Sequence, residues 1–255
     1  MSESVPEPLS RRPRRKRVTL LGVLGEVLMT GGVVVMLFLG WQLWFNNVVS
    51  SNEQKSVAED LSEEWATTPT ATSSEEPTEA PDPGVPAITA APAANQAFAN
   101  LIVPRLGADF KRPIAEGVGT EVLNSTKLGM GHYSNTQLPG ELGNFALASH
   151  RSAYGGAFHN IHELVVGDAI YVETADGWYK YIYRSMEYVR SSGVGVILPV
   201  PQDPTAAPTE SIITLTTCNP FYSSAERIIA YGVFDSWYPR AGGPPAEIAT
   251  IATVS

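Results

Sequence analysis

Trp178-Tyr179-Lys180-Tyr181-Ile182-Tyr183 sets a tyrosine at every second position, alternating with Trp178, Lys180 and Ile182. Side chains on an extended strand point to opposite faces with a period of two, so this stretch predicts a strand with two distinct faces. Phe98 to Val103, Asn144 to Ser149, Ala169 to Glu173, Ser211 to Thr217 and Arg227 to Phe234 share its texture: short runs rich in Val, Ile, Thr and aromatics, separated by Gly, Pro, Asn and Asp. No stretch carries a long amphipathic helical pattern. The expectation is an all-β domain over residues 97–238, with short helices only, closed or nearly closed into a barrel because closure removes unpaired strand edges. A segment of this size suits one domain with its own core.

Ahead of this domain the chain changes character twice. Arg11, Arg12, Arg14, Arg15, Lys16 and Arg17 close a basic segment, residues 1–17, and an apolar stretch over residues 18–45 follows. From Val27 to Phe45 no residue is charged; as a helix that run reaches roughly 28 Å, close to the hydrocarbon thickness of a bilayer. Glu26 is costly at mid-bilayer and belongs at the cytoplasmic interface, with Trp41, Trp44 and Phe45 at the outer one. A cleaved signal peptide calls for a shorter apolar run and a small-residue cleavage site, which Asn46-Asn47-Val48-Val49-Ser50-Ser51 does not offer. The reading is one retained transmembrane helix, N-terminus cytoplasmic and the remainder outside, since basic residues stay in the cytoplasm.

Residues 46–96 read as an acidic spacer rich in Pro, Ala and Thr. From Ser56 to Asn100 there is no Lys or Arg and there are eight acidic residues, a composition that cannot offset its ordering entropy by burial. Val57, Leu61 and Trp65, spaced by four, suggest a short juxtamembrane helix without a partner, and the Pro-rich part a disordered tether. The whole chain nets −9, although residues 1–17 hold six basic and two acidic groups. An exterior this acidic argues against nucleic acid as a partner, because phosphate binding needs clustered Lys or Arg. The tail, residues 239–255, gives no functional signal.

Cys218 is the only cysteine. It has no partner for an intramolecular disulfide, and outside the cell a lone thiol is uncommon unless it does chemistry. It closes the apolar run before the turn signalled by Asn219-Pro220. His150 closes another run, and Arg227 opens the one after Cys218. A thiol at a sheet rim needs a base or cation to act as a nucleophile; His150 can take its proton and return it to a leaving amine, and Arg227 offers fixed donors to an oxyanion or carbonyl. Each residue has an ordinary alternative: a small buried hydrophobe, a structural histidine, a surface ion pair. Their common compartment and order favour catalysis.

Thr214-Leu215-Thr216-Thr217-Cys218, Arg227 downstream, and His150-Arg151 resemble the signature segments of sortases, the membrane-anchored cysteine transpeptidases of Gram-positive cell walls. Ile102-Val103-Pro104-Arg105, Gly131-His132-Tyr133, Leu138-Pro139-Gly140-Glu141 and Leu164 with Gly167-Asp168-Ala169-Ile170 extend the resemblance along the domain. Thr-Leu-Thr-Thr-Cys-Asn-Pro, the N-terminal anchor and Gly131-His132-Tyr133 look most like class E, the housekeeping type of high-GC bacteria. The resemblance implies a sortase barrel that cleaves a Leu-Ala-x-Thr-Gly-type signal of surface proteins between Thr and Gly. It implies a Cys218 thioester, His150 protonating the departing amine, Arg227 holding substrate and oxyanion, transfer to a peptidoglycan-precursor amine, and no cofactor. Tyr133 is the candidate for reading the second signal residue, and Thr217 a second substrate contact. Ser149 stands where the family usually has glycine.

Two rivals are a pilus-polymerising sortase, for which Asp82-Pro83 lacks the following aromatic, and a cell-wall cysteine hydrolase. A non-catalytic adhesin fits the spacer but leaves the Cys, His and Arg arrangement a coincidence. His159 and His162, preceding Glu163, are spaced for one helical face, but a short solvated helix before the turn at Gly167-Asp168 accounts for them better than a metal site. Lys111-Arg112 reads as surface.

Overall fold

The computed structural model describes residues 19–67, 86–88, 90 and 92–252. The basic segment 1–17 and Asp82-Pro83 lie outside the described residues, as does most of the Pro-rich stretch. Two compact units are distinguished, residues 1–44 and 45–255. Helix α1, Leu20–Thr67, begins in the first and continues in the second. In the first unit the Thr19 hydroxyl accepts from Gly22 N–H at 3.2 Å, satisfying one of the orphan donors at a helix start. Val27, Leu28, Met29, Met36, Leu37 and Phe38 are all exposed, as an uncovered apolar cylinder must be. Among the described residues this is the one helix long and apolar enough to cross a membrane.

The second unit is built on eight strands: β1 Ala97–Ile102, β2 Lys111–Glu116, β3 Met130–His132, β4 Gly143–Ser149, β5 Ala169–Glu173, β6 Gly177–Arg190, β7 Ser211–Asn219 and β8 Glu226–Pro239. They close into a barrel in the order β1-β2-β3-β4-β7-β8-β6-β5. The β2–β3 and β4–β7 pairings are parallel and the others antiparallel. Tyr179, Tyr181 and Tyr183 of β6 enter the interior with Phe145, Leu147, Ile213, Leu215, Ile228 and Ala230. Trp178, on the opposite parity, joins Ile102, Tyr171, Ile248 and Ala252 in a smaller outer cluster. The alternation in the sequence is therefore that of a strand buried on both faces for part of its length, because the C-terminal residues, including α3 at Ala249–Ala252, cover the outside.

Two expectations change. Lys111 is not on the surface: it lies in β2 and is 1% exposed. Residues 45–67 are not a partnerless helix either. Ser50, Gln54, Ala58 and Ser62, spaced by four, are the buried stripe, while Val57, Leu61 and Trp65 are only half-buried. A stripe of small and polar residues lets the helix approach closely and hydrogen-bond into the barrel: Asn100 Nδ2 donates to Ala58 O at 2.8 Å and Ser62 Oγ to Glu173 Oε2 at 2.6 Å.

Candidate active site

Parallel pairing of β4 with β7 sets Ala148 opposite Thr216. The same register, continued by two residues, brings His150 level with Cys218. On the other side β7 is antiparallel to β8, and Cys218 is paired directly with Arg227. Phe145, Leu147, Ile213, Leu215, Ile228 and Ala230 point inward; by alternation Thr214, Thr216 and Cys218, Arg227 and Ile229, and Ala146 and Ala148 face outward, with His150 next on that parity. Three adjacent strands thus bring thiol, imidazole and guanidinium to one outer rim of the barrel. All three residues are half-buried, and the thiol is free.

Tyr133 follows β3 on the same outer face, its hydroxyl 3.3 Å from Thr216 Oγ1. Thr217 is of the opposite parity. It is buried, and its hydroxyl donates to Ser149 O at 2.7 Å, so it ties β7 to β4. Thr216, on the parity of Cys218, is buried too, and its hydroxyl donates to Leu147 O at 3.0 Å. Ser149 is buried as well, and its Oγ donates to Gly129 O at 2.7 Å, a hydroxyl that anchors the residue before His150.

Two residues that no motif announced hold the histidine. Nε2 of His150 lies 2.9 Å from Asn124 Oδ1, and the Tyr154 ring is tilted against the imidazole at 5.3 Å. Asn124 caps the short helix α2, Thr120–Leu123, 26 residues upstream, and only the fold brings it here. On the far side Arg151 is buried, donates to Asn219 Oδ1 at 2.5 Å and stacks over Phe221 at 4.0 Å. Arg227 donates from one terminal nitrogen to Ser224 O and Glu226 O, both at 2.9 Å. The β7–β8 turn is thus fastened to the residue after His150. His159 stacks on Phe221 and meets Arg151 O, and among the described residues no group of three or more His, Cys, Asp and Glu could hold a metal ion. A cavity of about 420 Å³, lined in part by Ser62, Trp178 and Arg240, includes none of the three rim residues.

Burial disfavours the charged imidazole and holds the His150 pKa below its ordinary value. Its ring should titrate with a midpoint below about 6.5 in an NMR titration. In the window between the folded and unfolded midpoints the unfolded chain binds more protons, so His150 also lowers stability as pH falls through that window. A ring midpoint at or above the ordinary value contradicts this.

A thiol, a base and a guanidinium at one rim are the parts of acyl transfer through a cysteine. A family profile described as a sortase domain matches residues 101–235. The chain belongs to the sortase family. It is 34% identical to sortase E1 of Streptomyces coelicolor over 97% of this chain and 69% of that one, and 32% identical to sortase E2 of the same organism over 87% and 85%. Among solved structures, a sortase A from Actinomyces oris superposes with a TM-score of 0.62 at 37% identity, over 67% of this chain and 97% of that one. Sortase E1 of S. coelicolor, solved with a tripeptide in its active site, gives 0.56 at 37%, over 60% and 97%. The closed eight-stranded barrel is that of the family, and the resemblance to class E is supported. This sortase is a cysteine transpeptidase.

Proposed function

We propose that this sortase cleaves a Leu-Ala-x-Thr-Gly-type signal between Thr and Gly and joins the protein to an amine of a peptidoglycan precursor. The supporting observation is the meeting of Cys218, His150 and Arg227 on one rim through two strand ladders. Cys218 sulfur attacks the Thr carbonyl as its proton passes to His150. With Nε2 donating to Asn124 Oδ1, Nδ1 is the ring nitrogen left to accept. The tetrahedral oxyanion is met by Arg227, whose side chain swings from the turn carbonyls it now holds. Collapse expels the Gly amine, which takes the proton from His150 and leaves a Cys218 thioester. The acceptor amine then attacks the thioester, and a new amide and the free thiol return. Thioester formation keeps the acyl group activated, so no outside energy source enters the cycle.

The apolar run of α1, preceded by the basic cluster, supports a single-pass anchor with the barrel on the outer side, where surface proteins and wall precursors meet it. The full chain in detergent, given Leu-Ala-x-Thr-Gly and Leu-Pro-x-Thr-Gly peptides with and without an amine acceptor, should yield amine-dependent ligated product and prefer the Ala peptide. Tyr133→Ala should narrow that preference. Cleavage indifferent to amine identifies a hydrolase, and no product from either peptide points to a different sorting signal.

A further inference from the structure

Gln54 has no solvent exposure, and its side chain occupies a slot between two loops of the barrel. Nε2 donates to Tyr154 O at 2.8 Å and, more weakly, to Ser125 O at 3.4 Å. These are the loops that hold His150: Ser125 follows Asn124, and Tyr154 lies against the imidazole. The slot exists because two glycines leave it open. A Cβ at Gly129 would fall onto Gln54 Nε2, and one at Gly155 would lie 2.8 Å from Oε1. Tyr154 sits at φ +48°, a left-handed conformation that a bulky residue adopts only when its surroundings hold it there. Gln54 grips the carbonyl of that residue. Asn47 adds bonds to Ser152 O at 3.2 Å and from Gly155 N–H at 3.4 Å, and Glu53 accepts from Thr126 Oγ1 at 2.5 Å. One helix face therefore fastens both walls of the histidine pocket.

We infer that Gln54 is a positioning residue for the active site: from the helix next to the membrane-type segment, it sets the Asn124 and Tyr154 loops and, through them, the His150 ring. The inference rests on His150 as the proton-transfer group. A buried amide oxygen with no hydrogen bond, as Oε1 has here, carries a desolvation cost, which fits a residue kept for geometry. Displacing a transfer group by about 1 Å lowers the rate by up to roughly a hundredfold.

The test uses the full chain in detergent with a sorting peptide and an amine. Gln54→Leu keeps the volume and removes both donated bonds. It should lower kcat at least about tenfold with KM nearly unchanged, and should shift the His150 ring resonances and their titration. Ser62→Ala loosens the same helix at its other anchor, and should lower Tm while leaving kcat and the His150 spectrum as in the parent chain. Asn47→Ala, a smaller change to the same Tyr154 loop, should shift the His150 resonances in the same direction even if Gln54→Leu does not fold. A folded Gln54→Leu chain with parental kcat and His150 spectrum overturns the inference, as does a kcat loss in both helix variants that only follows Tm. A His150→Ala chain that still ligates overturns the premise instead, and is distinguished by its own activity.

Discussion

Cys218→Ala should abolish ligation, by at least about 10⁴-fold in kcat, while the barrel stays intact. In the proposed mechanism the sulfur carries the acyl chain between two amines. His150 and Arg227 left behind can polarise a carbonyl but lack the thiolate the proposed mechanism relies on. Removing a half-buried sulfur at the end of β7 leaves the interior residues Ile213 and Leu215 untouched, so stability should change by less than about 1 kcal/mol. Because the chain has one cysteine, alkylation provides an independent check. One adduct should form on the parent chain, abolish product, and be absent from the variant. Mass spectrometry of the chain incubated with peptide and no amine should show the acyl adduct on the parent alone. Turnover in Cys218→Ala within tenfold of the parent would sink the covalent mechanism.

Cys218 and Arg227 lie in strands and His150 directly follows one, so the placement of the proposed rim can be read from local pattern. Thr214-Leu215-Thr216-Thr217-Cys218 announces both the strand and its end, and Ala169–Glu173 emerges with the bounds its composition implied. Thr217 shows where such reading stops. Membership in a signature does not say which face a residue takes, and parity turned it toward Ser149 O. Lys111 and Arg112 look like surface because a window of sequence cannot show β1 on one side of β2 and the α1 extension over it. The helix misled for a related reason. Pattern reading seeks an apolar stripe, and Val57, Leu61 and Trp65 supplied one, whereas the docked stripe of Ser50, Gln54, Ala58 and Ser62 works by small size and hydrogen bonds. Asn124 and Tyr154 carried no signal at all, since their roles depend on loops brought together by the barrel.

The same docking makes a second large effect, this time on stability. Glu173 has no exposure, and four partners converge on it: Ser62 Oγ at 2.6 Å, Asn100 Nδ2 at 3.1 Å, Arg240 at 3.1 Å and Lys111 Nζ at 3.5 Å. Arg240 has other support, between the Trp65 and Trp178 rings and on the carbonyls of Thr174 and Ala175. Lys111 has little: the Glu173 contact is long for a hydrogen bond and Nζ makes none. Desolvation already holds the Lys111 pKa below its usual value, against the pull of Glu173 in the other direction. Glu173→Ala therefore leaves a buried ammonium with only the weaker pull of Glu59, at a cost of about 3–5 kcal/mol, or a Tm lower by roughly 10 °C for a unit of this size. Glu173→Gln keeps an acceptor for Ser62 and should cost less. The sign of the pH dependence separates lost charge from lost packing. Without the carboxylate the folded Lys111 pKa falls further below its unfolded value, so between the two the unfolded chain binds the extra proton and stability rises with pH. The Glu173→Gln deficit should accordingly shrink as the pH of the melt is raised from 7 to 9. A deficit that is flat across that range, or a Glu173→Ala cost under about 1 kcal/mol, would show that the barrel and its helix are joined by packing rather than by this charge.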